Sequence, residues 1–270
     1  MREARRAELE RELGEAMTLD GLTREWSIFQ RRRGHRHSTD DLLTAWYAVT
    51  RVASATRLLD LGSGIGSVGL LALWRYPQAT LTAIEAQEIS FRLLQENVAA
   101  NGLTARVSML HGDLRDVVVD AGGFDLVTGS PPYFDVNDGI VPADSQKAHA
   151  RFELRGDVRD YAAAARRALA PGGRFVFCFP SVQRERAVRA CEAAALPVVS
   201  LRDVVPRAER APLFTLFACC HAAEAGASAA TIVEPAYIVR DASGVQTDEH
   251  AAARALFGMG AGPVSPPPPR

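Results

Sequence analysis

The chain has 270 residues, and its 31 Lys plus Arg against 32 Asp plus Glu leave a formal net charge of −1. That length suits one large domain or one domain with extensions, and the charge balance excludes a molecule whose whole surface attracts nucleic acid. No segment has the pattern of a signal sequence or a membrane span, so we expect a cytoplasmic protein with no membrane partner.

The N-terminal region is charged. Residues 1–17 interleave Glu and Arg and predict a solvated helix. Residues 38–41, Ser-Thr-Asp-Asp, are good helix caps before an apolar pattern that starts at Leu42. We therefore expect a basic, helical extension over residues 1–37 and a main domain from residue 38 to residue 221.

From residue 57 onward, short apolar runs alternate with helical patterns. Alternation of this kind predicts an α/β fold with a mainly parallel sheet and helices on both faces. The last two strands are close enough in sequence to form an antiparallel pair. We expect strands at 57–61, 80–85, 106–111, 124–128, 174–179, 198–205 and 213–220, and helices at 67–75, 88–100, 157–170 and 183–195.

The remaining segments are less regular. Residues 222–270 are rich in Ala, Gly and Pro, and we expect a C-terminal extension with a possible strand at 231–239 and a disordered Pro-rich end at 263–270. The four cysteines form no C-x-x-C pair and predict buried, reduced thiols: Cys178, Cys191, Cys219 and Cys220.

A glycine-rich turn follows the first predicted strand of the domain, in the segment Asp60-Leu61-Gly62-Ser63-Gly64-Ile65-Gly66. Glycines there let the backbone pass close to a ligand, since no Cβ intervenes. Glu85 ends the next strand, where a carboxylate can hold both hydroxyls of a ribose. Asp60 favours a cationic methionyl ammonium over a dinucleotide pyrophosphate, and Asp113 can accept from an adenine amine.

A second motif, Ser130-Pro131-Pro132-Tyr133, ends the fourth predicted strand. Methyl transfer to a ring amine needs acceptors for its two N–H groups, and the Ser130 Oγ and the Pro131 carbonyl are candidates. Successive prolines remove backbone donors and stiffen the chain. Tyr133 offers an aromatic face on which an extruded base can stack.

These motifs together resemble the class I S-adenosylmethionine-dependent methyltransferases over residues 30–220. The resemblance implies a Rossmann-like, doubly wound fold with seven strands, the last antiparallel, and S-adenosyl-L-methionine as cofactor. It implies catalytic roles for Ser130, Pro131, Pro132 and Tyr133. It implies cofactor contacts at Thr39, Asp60, Gly62, Ser63, Gly64, Gly66, Glu85, Ala86, Asp113, Leu114 and Ser130.

More specifically, the layout resembles the bacterial tRNA adenine-N6 methyltransferases that act beside the valine-tRNA anticodon. The matching elements are Gln30, Ser38-Thr39-Asp40-Asp41-Leu42-Leu43, Ser130-Pro131-Pro132-Tyr133-Phe134 and Ala150-Arg151-Phe152. The departure is Ser130, where that family has Asn. Since similar tetrapeptides occur in enzymes that methylate the cytosine amine, the target base stays open.

Basic residues indicate how RNA could bind. We predict contacts to the phosphates of tRNA or another structured RNA from Arg31, Arg32, Arg33, Arg36, Lys147 and Arg151. Since Lys147 is the only lysine, a solvated arginine run from a GC-rich genome is the alternative. His35 and His37 lack further spaced partners, so we predict no metal, and we expect a monomer or a weak homodimer.

Several functions remain open at this stage. The first is an RNA base N-methyltransferase, most simply of adenine N6 in tRNA. The second is an N-methyltransferase of a protein glutamine amide or of a small-molecule amine. A nicotinamide dehydrogenase is the third, against which Asp60 and the Pro-Pro-Tyr site speak, and a binding module without catalysis is the fourth.

Overall fold

A short hairpin and a central sheet contain the strands of the protein. The computed structural model describes residues 1–133, 144, 146, 153–154, 156–225 and 230–260. The hairpin strands are β1 (Met17–Gly21) and β2 (Ser27–Arg31). The strands of the sheet are β3 (Arg57–Leu61), β4 (Thr80–Glu85), β5 (Val107–His111), β6 (Phe124–Gly129), β7 (Leu169–Pro180), β8 (Val198–Val205), β9 (Phe214–Cys219), β10 (Ile232–Val233) and β11 (Tyr237–Ile238). Seven longer strands lie in the order β8-β9-β7-β6-β3-β4-β5, and the two-residue strands β10 and β11 extend the β8 edge.

Helices cover both faces of this sheet. They are α1 (Arg2–Leu13), α2 (Thr39–Arg51), α3 (Ser67–Arg75), α4 (Glu88–Ala100), α5 (Val158–Ala168), α6 (Arg184–Ala193), α7 (Ala222–Ala225) and α8 (Asp248–Leu256). One face carries α2 and α3, and the other carries α5 and α6, each face with its own apolar core.

The predicted α/β class is confirmed. Strands β3, β4, β5, β6 and β7 pair in parallel, whereas β9 lies antiparallel between β7 and β8. Strand β7 begins at Leu169, earlier than predicted, and the Pro171-Gly172-Gly173 segment forms an irregularity inside it. Phe124 pairs with Leu169 but Leu126 pairs with Arg174, and Gly172 has a φ of 78°. The seven predicted strands are therefore all present, with the last one antiparallel.

The N-terminal residues are packed against the domain rather than solvated. Leu9 of α1 is fully buried, and Arg5 bonds Glu96 of α4 at 2.9 and 2.5 Å. The hairpin β1–β2 was not predicted. Asn97, also fully buried, accepts from the Phe29 N–H and donates to the Phe29 and Ile65 carbonyls, so it joins the hairpin to the glycine-rich segment between β3 and α3.

The C-terminal segment also packs on the domain, through a helix that the sequence did not predict. Tyr237 is fully buried, and its ring centroid lies 5.0 Å from that of Trp46 on α2. Its hydroxyl lies 3.1 Å from His250 Nδ1 on α8. The predicted strand at 231–239 is reduced to β10 and β11, because Pro235 lies between them. Residues 263–270 lie outside the described residues.

The parallel strands bring functional positions to one edge. Asp60 on β3 pairs in register with Ala83 on β4 and with Thr128 on β6. The carboxyl ends of these strands, with Glu85 and the segment that follows Gly129, therefore meet at the same edge. Ligands of doubly wound folds bind at this edge, outside the carboxyl ends of the strands.

The cysteines lie inside the fold. All four are buried and free, which confirms the predicted thiols. No helix in the described part of the chain is long and apolar enough to cross a membrane.

Acid should weaken the attachment of the C-terminal segment. Burial, then Arg254 and Arg240, lowers the pKa of His250 from 6.5 to about 4. Between those values the unfolded chain binds the proton and the folded protein does not, so stability falls as the pH drops. We expect His250 to account for about 2 kcal/mol of loss between pH 7.5 and pH 5.

Urea unfolding of wild type and His250→Gln at those two pH values measures this contribution. Gln can still bond the Tyr237 hydroxyl but does not titrate, so the variant should lose less stability on acidification. An equal loss in both proteins would show that His250 does not carry this pH dependence.

Candidate active site

The glycine turn lies between β3 and α3. Gly62, Gly64 and Gly66 have φ values of 62°, 57° and 93°, a region that favours glycine. A Cβ on Gly62 would overlap the hydroxyl of Tyr161, which reaches the turn from α5. By contrast, a Cβ on Gly64 would meet nothing within 4 Å, so at this position the turn faces open space.

The carboxylate of Asp60 is buried at the start of this turn, with 2% of the residue exposed. Its Oδ2 accepts from the Gly69 N–H at 3.1 Å, and its Oδ1 accepts from the Thr128 hydroxyl at 2.7 Å. Both donors are neutral, and burial raises the pKa of Asp60 to about 6. The site thus holds a carboxyl group whose charged form a cationic ligand would stabilise.

Glu85 is oriented by the backbone around it. Its Oε2 accepts from the Gly64 N–H at 2.7 Å, and its Oε1 accepts from the Gln87 N–H at 2.6 Å. These bonds connect the end of β4 to the glycine turn. Asp113, after β5, is held by Arg115, whose guanidinium donates to both carboxylate oxygens at 2.9 and 2.7 Å.

The Ser130–Tyr133 segment continues from β6. Gly129 lies against the ring of Tyr161, and a Cβ at this position would be only 3.0 Å from that ring. The Ser130 Oγ lies 3.7 Å from the Cys178 Sγ of β7. The Tyr133 carbonyl accepts from Gln183 Nε2 at 2.8 Å, which fixes the end of the segment. Pro131 and Pro132 are both buried.

The N-terminus of α2 adds a pair of carboxylates to the same edge. Asp41 accepts from the Ser38 N–H at 2.8 Å and from the Ser67 hydroxyl at 2.9 Å, which ties α2 to α3. Burial and the neighbouring Asp41 raise the pKa of Asp40. His37 Nδ1 lies 3.6 Å from the Asp41 carboxylate.

One cavity of about 730 Å³ unites these elements, within the range of about 300–1,000 Å³ typical of sites for small ligands. Every predicted cofactor residue except Gly66 lines it, as do the four predicted catalytic residues. Gly66 is instead the N-cap of α3, where a Cβ would clash with Leu94. The lining members are Thr39, Asp60, Gly62, Ser63, Gly64, Glu85, Ala86, Asp113, Leu114, Ser130, Pro131, Pro132 and Tyr133.

The cavity is also lined by residues that the sequence did not single out. Tyr161, Cys178 and Gln183 come from elements distant in sequence, and no spacing in the chain connects them to the two motifs. Val182 and Leu213 are apolar residues at its rim and are 91% and 63% exposed. The pairing of β7 with β6 and β9 brings the residues of these strands and their flanks to the cavity, and α5 supplies Tyr161.

The predicted basic cluster is divided by the fold. Arg31 is engaged within the protein by Glu15 at 2.6 Å and by Asp144 at 2.7 Å. Arg36 bonds Asp20 at 3.2 Å. Arg32 and Arg33 are exposed just after β2, next to the cavity-lining His35. These two arginines are thus the members of the cluster oriented to solvent.

Other predicted positions lie outside the described residues: Lys147, Arg151, Phe134 and the rest of the Ala-Arg-Phe element at 150–152. A metal was not predicted, and the residues that the structure describes contain no group of three or more His, Cys, Asp or Glu arranged to hold one.

The chain is similar to known methyltransferases. The family described as "Methyltransferase small domain" matches residues 42–188. In Aeromonas hydrophila, a protein named tRNA1(Val) (adenine(37)-N6)-methyltransferase is 32% identical over 168 residues, which cover 62% of this chain and 68% of the relative. A protein of the same name in Shewanella loihica is 27% identical over 82% of this chain and 90% of the relative.

Coverage of the relatives varies. The match to the protein of that name in Porphyromonas gingivalis W83 spans 58% of this chain and 63% of the relative, at 29% identity. Among solved structures, a predicted O-methyltransferase from Agrobacterium tumefaciens superposes with a TM-score of 0.64 at 17% identity, covering 84% of this chain and 100% of that one. At this identity the likeness concerns the fold alone.

The buried Asp60 should cost stability at neutral pH. The pKa of Asp60 in the folded protein is about 6, above the ordinary value of 3.8. The ionised carboxylate therefore destabilises the folded protein above pH 6. This penalty disappears below about pH 4, where the carboxyl group is protonated in the folded and the unfolded chain. We expect Asp60→Asn to raise the free energy of unfolding at pH 7.5 by at most about 3 kcal/mol.

Chemical denaturation of the ligand-free protein and of this variant, at pH 7.5 and at pH 4, measures that effect. Asn can accept from the Gly69 N–H and donate to the Thr128 hydroxyl, so both contacts can persist. The gain should largely disappear at pH 4. A variant that is less stable than wild type at pH 7.5 would contradict a penalty from the buried charge.

Proposed function

Since the chain belongs to the methyltransferase small domain family, we propose that it is an S-adenosyl-L-methionine-dependent N-methyltransferase that modifies adenine N6 in tRNA. The observation that carries the proposal is the single cavity shared by the glycine turn, its acidic neighbours and Ser130–Tyr133. The relatives' names supply the substrate class, and the chemistry of the cavity supports it.

The residues of the glycine turn fit the proposed cofactor. The open space over Gly64 accommodates a ligand close to the backbone. Asp60 would hold the methionyl ammonium, because a positive charge there offsets the cost of a buried carboxylate. Glu85 would hold the ribose hydroxyls, and Asp113, with Leu114, would hold the adenine. When bound, S-adenosylmethionine supplies an electrophilic methyl group on its sulfonium.

The Ser130–Tyr133 segment would hold the acceptor amine. Ser130 Oγ and the Pro131 carbonyl each accept one N–H, which turns the nitrogen lone pair out of conjugation with the ring. The lone pair would then face the methyl carbon, so that the N–C bond forms as the sulfonium S–C bond breaks and its electron pair stays on sulfur, and the nitrogen would afterwards release a proton. No strong base is needed at the outset, because alignment of the reacting atoms contributes much of the rate.

Tyr133 would stack on the target base. Its carbonyl bond to Gln183 fixes the backbone at this position, so the ring is held at the cavity wall. An adenine must leave its neighbours to enter such a cavity, and stacking offsets part of that cost. The exposed Val182 and Leu213 at the rim offer apolar contact to a nucleotide next to the target.

Arg32 and Arg33 would contact the tRNA backbone. They are exposed and lie three and two residues before the cavity-lining His35 in the chain, while Arg31 and Arg36 are engaged in ion pairs within the protein. The alternative substrate, a protein glutamine amide or a small amine, would need no such contacts. It is also less favoured because the similar proteins named above are tRNA adenine-N6 methyltransferases.

Incubation with labelled S-adenosylmethionine and an unmodified tRNA1(Val) transcript, followed by nucleoside analysis, tests the function. We expect N6-methyladenosine from wild type and a loss of at least about a hundredfold with Ser130→Ala or Tyr133→Ala, since both misalign the amine. Cofactor affinity, measured by calorimetry, should be retained in these variants and lowered in Asp60→Asn.

Ser108→Ala is the matched control, because Ser108 is an exposed serine on β5. It should behave as wild type in both assays. Full turnover by Ser130→Ala would contradict the assignment of the acceptor site. Cofactor binding without label in any tRNA would instead redirect the search to protein or small-molecule amines.

Charge reversal at Arg32 and Arg33 tests the RNA contacts. The double variant Arg32→Glu with Arg33→Glu should bind tRNA more weakly, and the slope of log K against log salt should shrink by about 1.4 to 1.8, because two phosphate contacts are lost. Filter binding across a salt series measures both quantities.

Arg166 and Arg167 provide the matched control. They are exposed on α5, and the Arg167 carbonyl accepts from Gly122 N–H before β6, at the sheet edge opposite the cavity. Reversing both changes the net charge equally and should leave the salt slope near that of wild type. Equal effects of the two double variants would mean that only overall charge matters.

A further inference from the structure

The Ser130 hydroxyl can direct its own proton at the acceptor amine, which the side-chain oxygen of an asparagine cannot do. An amide oxygen can only accept, whereas a serine hydroxyl both donates and accepts. If its proton points at the amine, Ser130 repels the N–H that it should bind. The inference drawn from this difference rests on the proposed function, because it concerns how Ser130 holds the acceptor amine.

The thiol of Cys178 lies where that proton can go. Gly129 and Phe177 are partners in the β6–β7 register, so the residues that follow them, Ser130 and Cys178, lie side by side. The Oγ–Sγ distance is 3.7 Å, which suits a hydrogen bond to sulfur. Cys178 is 7% exposed and lines the cavity.

The thiol itself stays neutral and has a further neighbour. Burial raises the pKa of Cys178 to about 12, so at neutral pH the sulfur keeps its proton. Against this effect of burial, the side-chain hydroxyls of Thr44 on α2 and of Ser130 both act to lower the pKa of Cys178. Thr44 is fully buried, and its hydroxyl has no hydrogen-bond partner within the described residues. It can therefore receive the S–H.

We propose that Cys178 is a positioning residue that accepts the Ser130 O–H and thereby directs the serine lone pairs at the substrate amine. The chain of polar groups is Ser130 O–H to Cys178 sulfur, then Cys178 S–H to the Thr44 hydroxyl. This arrangement gives a serine the acceptor-only character that an asparagine oxygen has intrinsically. Cys178 touches neither the amine nor the transferred methyl in this role.

Two substitutions at Cys178 separate this role from simple packing. Cys178→Ala removes the acceptor and should lower kcat about tenfold, with KM for the tRNA1(Val) transcript and cofactor affinity unchanged. Cys178→Ser restores an acceptor and should stay within about threefold of wild type. A packing role gives the reverse order, because Ala suits an apolar environment and a buried Ser costs stability.

The dependence on Cys178 should vanish when Ser130 is replaced by asparagine. In the Ser130→Asn background, Cys178→Ala should change kcat by less than about twofold, because an amide oxygen needs no partner to orient it. Cys191→Ala, at a fully buried cysteine of α6, is the control and should leave kcat unchanged. Circular dichroism and cofactor affinity verify that each variant is folded.

The outcomes distinguish this inference from the function on which it rests. Absence of N6-methyladenosine with wild type, at intact cofactor binding, refutes the proposed function. Wild-type activity combined with an unchanged kcat in Cys178→Ala refutes only the role of Cys178. An equal loss from Cys178→Ala in the wild-type and Ser130→Asn backgrounds also overturns it, since the effect then does not pass through the serine hydroxyl.

Discussion

The site depends on a carboxylate buried at the end of a parallel strand. Asp60 is placed by β3, held by donors from α3 and β6, and stays deeply buried at the turn where the chain leaves the sheet. Burial makes this charge unfavourable in the ligand-free protein. A buried carboxylate of this kind favours the binding of a cation, and it is already in position before any ligand binds.

The two halves of the cavity are connected by the same sheet. Strand β6 lies beside β3, so the Ser130–Tyr133 segment necessarily begins next to the glycine turn. Tyr161 from α5 packs against both, beneath Gly62 and Gly129. The scaffold therefore brings the two motifs that we propose to hold the methyl donor and the amine to one place, which is what a transfer governed by alignment requires.

The regions outside the family match support this arrangement. The hairpin β1–β2 and the glycine turn at Ile65 share the amide of Asn97, and Tyr237 from the C-terminal segment packs on Trp46 of α2. The helix α2 in turn contributes Asp40, Asp41 and Thr44 near the cavity. The terminal segments thus hold in place a helix that lines the site.

The sequence alone determined the strand–helix alternation, the glycine turn and the Ser130–Tyr133 motif, because these depend on periodicity and on local chemistry. It predicted α3 and β4 to the residue. It missed the hairpin and α8, whose stability comes from contacts such as Asn97 with Phe29 and His250 with Tyr237.

Only the tertiary structure decided which side chains meet. It engaged Arg31 and Arg36 internally while leaving Arg32 and Arg33 exposed, and it placed Cys178 beside Ser130 through strand register. Contacts between residues far apart in the chain follow from the pairing order of the strands. No local pattern encodes that order, because which strands pair depends on how much apolar surface the assembled sheet buries against its helices.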